Sequence, residues 1–231
     1  MNMNMSSRIK NLFYLLLVLT MAVSSLAARA SGSLPEVSPE GLKLVKQTKT
    51  SAVYLKDGAD FSDYDKVGML ECFVAFRKDW QRDQNEDRPF AVNDHDITRI
   101  RSELAVEFNK VFVKELTAKG ETVVTVTGKD VLLLRPAIVN LDISAPDTMQ
   151  PDAAVLTASA GQMTLVLELY DSVTGDLLAR VMDAEAADDF GTVMIRDRVT
   201  NKADADRILK KWADAVGTYL EHARSAASKT Q

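Results

Sequence analysis

The stretch from Gln162 to Met182 constrains the fold more than any other. Met163, Leu165, Leu167 and Leu169 alternate with Thr164, Val166, Glu168 and Tyr170, the period of a strand with one apolar face. Asp171-Ser-Val-Thr-Gly-Asp176 follows, with Gly175 placed to supply the positive φ of a short turn, and Leu177–Met182 resumes the extended pattern. Such a hairpin has to bury its apolar face to be stable. Glu168 shares the other face with Val166 and Tyr170 and is expected to meet water; a covering layer there would perturb it.

Two segments have the stripes to cover the sheet. In 94–118, Ile97, Ile100, Leu104, Phe108, Val111, Phe112 and Leu116 recur at helical spacing. Asn93 or Asp94 caps the start, Asp96 suits the positive end of the dipole, Lys114 and Lys119 suit the other end, and Gly120 stops it. In 201–226, Ile208, Leu209, Trp212, Ala215, Val216, Tyr219, Leu220 and Ala223 form the apolar face, and Gly217 is expected to permit close packing on the sheet. Further strands are predicted at Ser51–Leu55, Lys66–Phe76, Glu121–Val126 and Val131–Ile143. In the last of these Val131, Leu133, Val139, Leu141 and Ile143 would share a face. Pro136 cannot donate to a ladder, so it predicts a bulge or a free edge. The order β–α–β–β–β–β–α predicts an α/β (α+β) two-layer sandwich: a mixed, mostly antiparallel sheet of about five strands with two amphipathic helices on one face. The connection over the first helix would bring two strands parallel.

Residues 51–231 are expected to form this single domain. Residues 31–50 hold Pro35 and Pro39 among small polar residues and read as a flexible N-terminal lead. Residues 1–30 read as a cleavable export signal: Arg8 and Lys10, then the apolar run Leu12–Val23, then the small-x-small site Ala28-Arg29-Ala30. That run is shorter than the roughly 20 residues a membrane span takes. Cleavage near Ala30 predicts a periplasmic or secreted product. It also removes Arg8, Lys10 and Arg29 from the 28 basic residues, leaving 25 against 33 acidic, a formal charge of −8. With no basic cluster to offset it, nucleic acid and anionic membrane surfaces are poor partners.

Signatures of catalysis are missing from the sequence. There is no Gly-x-Ser-x-Gly elbow, no GxGxxG and no phosphate loop. His95 and His222 lie far apart and read as surface or capping residues, and a lone Cys72, in Met69-Leu-Glu-Cys-Phe-Val-Ala-Phe76, reads as a buried, inert thiol on a face with Leu70, Val74 and Phe76. The acidic run Asp183-Ala-Glu-Ala-Ala-Asp-Asp189 and Asn85-Glu-Asp87 lack EF-hand spacing and read as solvated loops. No metal, cofactor or catalytic residue is expected. Arg77–Pro89 is charged and aperiodic and reads as a loop, as do 144–161 and 183–192. Trp80 and Phe90 flank the first of these and are the candidate partner contacts; folding back onto the sheet edge is the other reading of them.

Three stretches carry a family resemblance: Ala52–Val67 (AVYLKDGADFSDYDKV), Asp130–Asp142 (DVLLLRPAIVNLD) and Gly161–Ala179 (GQMTLVLELYDSVTGDLLA), followed by the helix bearing Trp212-Ala213. With them the chain resembles the bacterial family of exported proteins known as domain of unknown function 3313 (DUF3313). Many such proteins are lipid-anchored, but this chain has no cysteine at the cleavage site, so no stable membrane anchor is expected. The resemblance implies no catalytic residues. The resulting expectation is a non-enzymatic exported protein that binds an envelope protein or otherwise assists the cell envelope. A small-ligand carrier, or a hydrolase of envelope material using unidentified carboxylates, are the alternatives.

Overall fold

The computed structural model describes residues 34–86, 91–143, 155–157, 161–186, 194–196 and 198–227. The expected signal, Phe90 and most of the loops 144–161 and 183–192 lie outside them. Among the described residues the elements run β1 (Lys43–Gln47), β2 (Ser51–Leu55), β3 (Lys66–Met69), β4 (Phe73–Phe76), α1 (Trp80–Glu86), α2 (Asp94–Ala118), β5 (Thr122–Val124), β6 (Val131–Asp142), β7 (Val155–Thr157), β8 (Gln162–Asp171), β9 (Leu177–Ala186), β10 (Met194–Arg196) and α3 (Arg198–Ala227).

The main sheet has eight strands in the order β1-β2-β9-β8-β6-β3-β5, with β4 on β6 in line with β3. β1, β2, β9, β8 and β6 are antiparallel neighbours, whereas β3, β4 and β5 join through parallel pairings created by the α2 crossover. β7 and β10 form a separate antiparallel pair. The class is as expected, with eight strands where about five were predicted. The extra strands have physical causes. Residues 43–47 pair with β2, so this part of the lead is an edge strand rather than a flexible tail. The predicted strand Lys66–Phe76 is broken in two.

That break lies opposite Pro136. The carbonyl of Leu134 accepts from the Leu70 N–H at 2.9 Å, so the polar backbone groups of Leu134, and two residues on of Pro136, point toward β3 and β4. Pro136 has no N–H to give there. Met69 pairs with Leu134 and Phe73 with Ala137, so Leu70–Cys72 carry one residue more than β6 offers. The interruption that proline imposes therefore falls on the neighbouring strand. Leu70 consequently turns outward while Cys72 and Val74 turn inward, which undoes the predicted shared face. Burial pushes the Cys72 thiol up to about 12, so it is un-ionised at neutral pH.

A second irregularity sits at Asn140, whose φ is +53°. It produces a register shift between Val139 and Asp142 and reverses the alternation of β6. Leu132, Leu134 and Ile138 therefore share the helix-covered face with Leu141, correcting the predicted grouping of Leu141 with Val131, Leu133 and Val139. Gly161 returns the chain beside this bulge at φ +97°, where a Cβ would lie 2.4 Å from the Asp142 carbonyl oxygen.

The helices cover one face. Phe108, Val111, Phe112 and Leu116 of α2 and Ile208, Leu209, Trp212, Ala213 and Leu220 of α3 pack with Leu165, Leu167 and Leu169 of β8 in one core. Phe108 and Phe112 stack at 3.9 Å. α2 spans the predicted residues, with a capping box between Asn93 and Asp96. Gly217 faces α2 rather than the sheet: a Cβ there would lie 2.4 Å from Lys119 Cδ. Near the other end of α3, Arg224 grips the buried Glu121 through two bonds of 2.8 and 2.6 Å and donates to the Tyr64 carbonyl at 2.8 Å. The Tyr64 hydroxyl donates to Asp171 at 2.9 Å, and burial, reinforced by that carboxylate, pushes it up to about 12. These bonds tie β2–β3, the hairpin turn and both long helices together.

Candidate functional site

Arg77–Pro89 contains α1, so it is not the solvated loop its composition suggests. Trp80 is 1% exposed; it stacks on Phe76 at 3.9 Å and donates its indole N–H to the Ile143 carbonyl at 3.2 Å. As a partner contact it is therefore withdrawn: it folds back onto the sheet, and this single aromatic anchors the α1 helix. Asn85 and Glu86 belong to α1, and Asp183–Ala186 of the acidic run end β9. His95 and His222 are both exposed, one beside the Asn93 cap and one late in α3. Among the described residues no three His, Cys, Asp or Glu side chains come close enough to hold a metal, and no helix is long and apolar enough to cross a membrane.

The densest charged constellation lies on the sheet face turned away from the helices. Because Leu165, Leu167 and Leu169 face the helices, Glu168 points the other way. Cross-strand register places Arg135 of β6 and Arg180 of β9 on either side of it, and Tyr54 of β2 beyond Arg180. Glu168 is only 4% exposed, which corrects the expectation that it meets water. One carboxylate oxygen accepts from Arg135 Nε at 2.7 Å, from Arg135 Nη2 and from the Tyr170 hydroxyl at 2.9 Å. The other accepts from Arg180 Nε at 2.9 Å and Nη2 at 2.6 Å. The Arg135 guanidinium also lies over the Tyr170 ring, 5.1 Å from its centroid.

A second carboxylate completes the row. Glu40, on the turn before β1, makes two bonds of 2.9 Å to Arg180, the fork geometry that suits guanidinium and carboxylate. Its hydrogen bond to Arg180 holds the Glu40 carboxyl below the ordinary range despite partial burial. Burial alone would lower the Arg180 pKa; the Glu40 and Glu168 carboxylates outweigh it and keep the guanidinium firmly charged. Burial, and then the charge of Glu168, raise the Tyr170 hydroxyl above its ordinary value. Two cations and two anions thus neutralise one another in a row that is buried at Glu168 and reaches solvent at Glu40. Each charge of the row has an internal partner.

Counting outward from the Asp171–Asp176 turn would set Glu168 opposite Ala179; a register shift between Leu169 and Tyr170 brings Arg180 there instead, so the sequence pattern did not reveal this ion pair. Arg135 and Glu40 come from pairings distant in sequence, which no local pattern reveals.

Comparison with solved structures gives only distant likenesses, at low identity and with TM-scores under 0.5. A PelC dodecamer from Paraburkholderia phytofirmans is 10% identical, covering 71% of this chain and 96% of that one, with a TM-score of 0.35. A DUF4136 family protein from Bacteroides thetaiotaomicron is 9% identical over 74% of this chain and 96% of that one, TM-score 0.37. A DUF330 family protein from Xanthomonas campestris is 9% identical over 72% and 89%, TM-score 0.41. No curated protein matches the chain. The family model described as "protein of unknown function (DUF3313)" matches residues 37–216, a span that takes in the Glu40 turn, all of the charged row and the Trp212 helix as far as Val216, and the chain belongs to that family.

Proposed function

We propose that this chain is an exported, non-enzymatic binding or accessory protein of the bacterial cell envelope. The N-terminal signal pattern supports export, and the commitment of the buried charges to one another supports a structural rather than a catalytic use of them. One observation carries the binding reading. Leu70 and Phe73, on either side of the strand break, are 40% and 48% exposed. Among the described strands β4 pairs only with β6, so its outer side is a sheet edge with apolar side chains beside it. At the opposite edge β1 carries Lys43 and Lys46 and a register shift, features that discourage strand addition. The apolar edge is thus the better place for an extended apolar segment of an envelope protein to dock.

The test is in-cell cross-linking of the tagged protein, with mass spectrometry of what co-purifies, in wild type and in Leu70→Glu and Phe73→Glu. A recurrent envelope protein captured by wild type and lost in both variants is the expected result. Unchanged capture in both variants would remove this edge from consideration. An intact mass that retains residues 1–30 would overturn the export reading.

A further inference from the structure

The free edge at β4 carries opposite charges at its two ends. Glu71 precedes the strand and Lys78 follows it; both are exposed, and neither makes an ion pair among the described residues. The other charges beside Lys78 are matched within the chain. Arg77 donates to Asp142 at 2.7 Å and to Asp83 at 2.6 Å, and Asp79 lies 3.4 Å from Arg82. Arg101 of α2, its guanidinium 5.8 Å from the centroid of the Phe76 ring, adds a second cation at that end. Between the ends stand Phe73, Val74, Ala75 and Phe76, with Val74 turned into the core and Phe73 outward.

An edge with an anion at one end, an apolar middle and cations at the other is complementary to a reversed copy of itself, because a two-fold axis sets each end against the other. We propose that β4 pairs antiparallel with β4 of a second copy of this chain, joining the two main sheets edge to edge. A register centred on Val74 sets Phe73 opposite the small Ala75 of the second copy and brings Glu71 beside its Lys78, twice over by symmetry. The other edge has no such complementarity: β1 carries Lys43 and Lys46 and no acid, so a reversed copy would gather like charge. This pairing rests on the reading of β4 as a free docking edge and adds a regulation of it. The second copy and the envelope segment need the same backbone groups, so each excludes the other.

β4 is 4 residues long, so the contact is small and the dimer is expected to be weak and concentration-dependent. Sedimentation velocity of the purified protein, over a rising series of concentrations, is expected to show monomer giving way to dimer. Phe73→Glu is expected to abolish the dimer. Glu71→Lys and Lys78→Glu each turn two attractions into repulsions and are expected to weaken it about tenfold. Exchanging the two charges in one chain is expected to restore it. A monomer at every concentration, a dimer untouched by Phe73→Glu, or single reversals that the exchange does not rescue would each overturn self-pairing. The envelope reading fails separately: a monomer at every concentration, with envelope capture still lost in Leu70→Glu and Phe73→Glu, would remove the second copy and leave the docking edge. Unchanged capture beside a dimer that obeys the charge exchange would do the reverse.

Discussion

Glu168 and Asp183 lie on adjacent strands of the same hairpin, yet they face opposite sides of the sheet and meet opposite fates. Glu168 receives two nitrogens from each of two arginines and a tyrosine hydroxyl. Asp183 receives one indole N–H, from Trp212. Glu168 is buried and Asp183 half-buried, and the count of donors around each differs as well. A buried carboxylate with abundant cations is a fixed charge that the fold depends on. One with too few is a group that gains by holding a proton.

The largest test of that contrast is Glu168→Ala. It leaves Arg135 and Arg180 facing each other across the buried place of Glu168, with Glu40 able to answer only one of them. Breaking a buried pair from one side costs about 3–5 kcal/mol, which urea denaturation would read as an earlier midpoint at unchanged slope. A loss under about 1 kcal/mol would mean that the arginines reach water and that the row is a surface feature. Tyr170→Phe is the next step down. It keeps the ring beneath the Arg135 guanidinium and removes only the hydroxyl, a bond to a charged acceptor, so a loss of about 1.5–3 kcal/mol is expected in the same assay. An equal loss in a Glu168→Gln background would show that the hydroxyl acts elsewhere.

The contrast was only partly visible in the sequence. Period and turn chemistry were enough for α2, the β8–β9 hairpin and the stop at Gly120, because those signals are local. The α1 helix was missed because seven residues are too short for periodicity, and its anchor, Trp80, works through Phe76 and Ile143. The inner faces of β6 were misassigned after Ile138 because one residue, Asn140, adopts a positive φ and reverses the alternation. Pro136 did signal an interruption, but the strand that breaks is the one opposite it. Glu168 was misplaced for the same kind of reason: its burial depends on Arg135 and on the Glu40 turn, both brought in by long-range pairing.

Glu40 supplies the smallest and most discriminating test, because its titration runs in the opposite sense to that of Asp183. The side chain is 31% exposed, so solvent screens its pair with Arg180, and Glu40→Gln is expected to cost about 1 kcal/mol or less. The sign with pH is the sharper readout. Arg180 holds the Glu40 carboxyl below its ordinary 4.5, so the folded state binds that proton less readily than the unfolded one. Its contribution is present above 4.5 and is lost as the pH falls through the folded value. Asp183 is held above its ordinary 3.8, so its contribution is complete below 3.8 and is lost as the pH rises through its folded value. Stability measured against pH should therefore flatten on its acid side in Glu40→Gln and lose a decline above the ordinary aspartate range in Asp183→Asn. If both variants changed the curve in the same sense, the two faces of the sheet would not be handling charge differently, and the contrast between the paired row and the Asp183 carboxyl would fail.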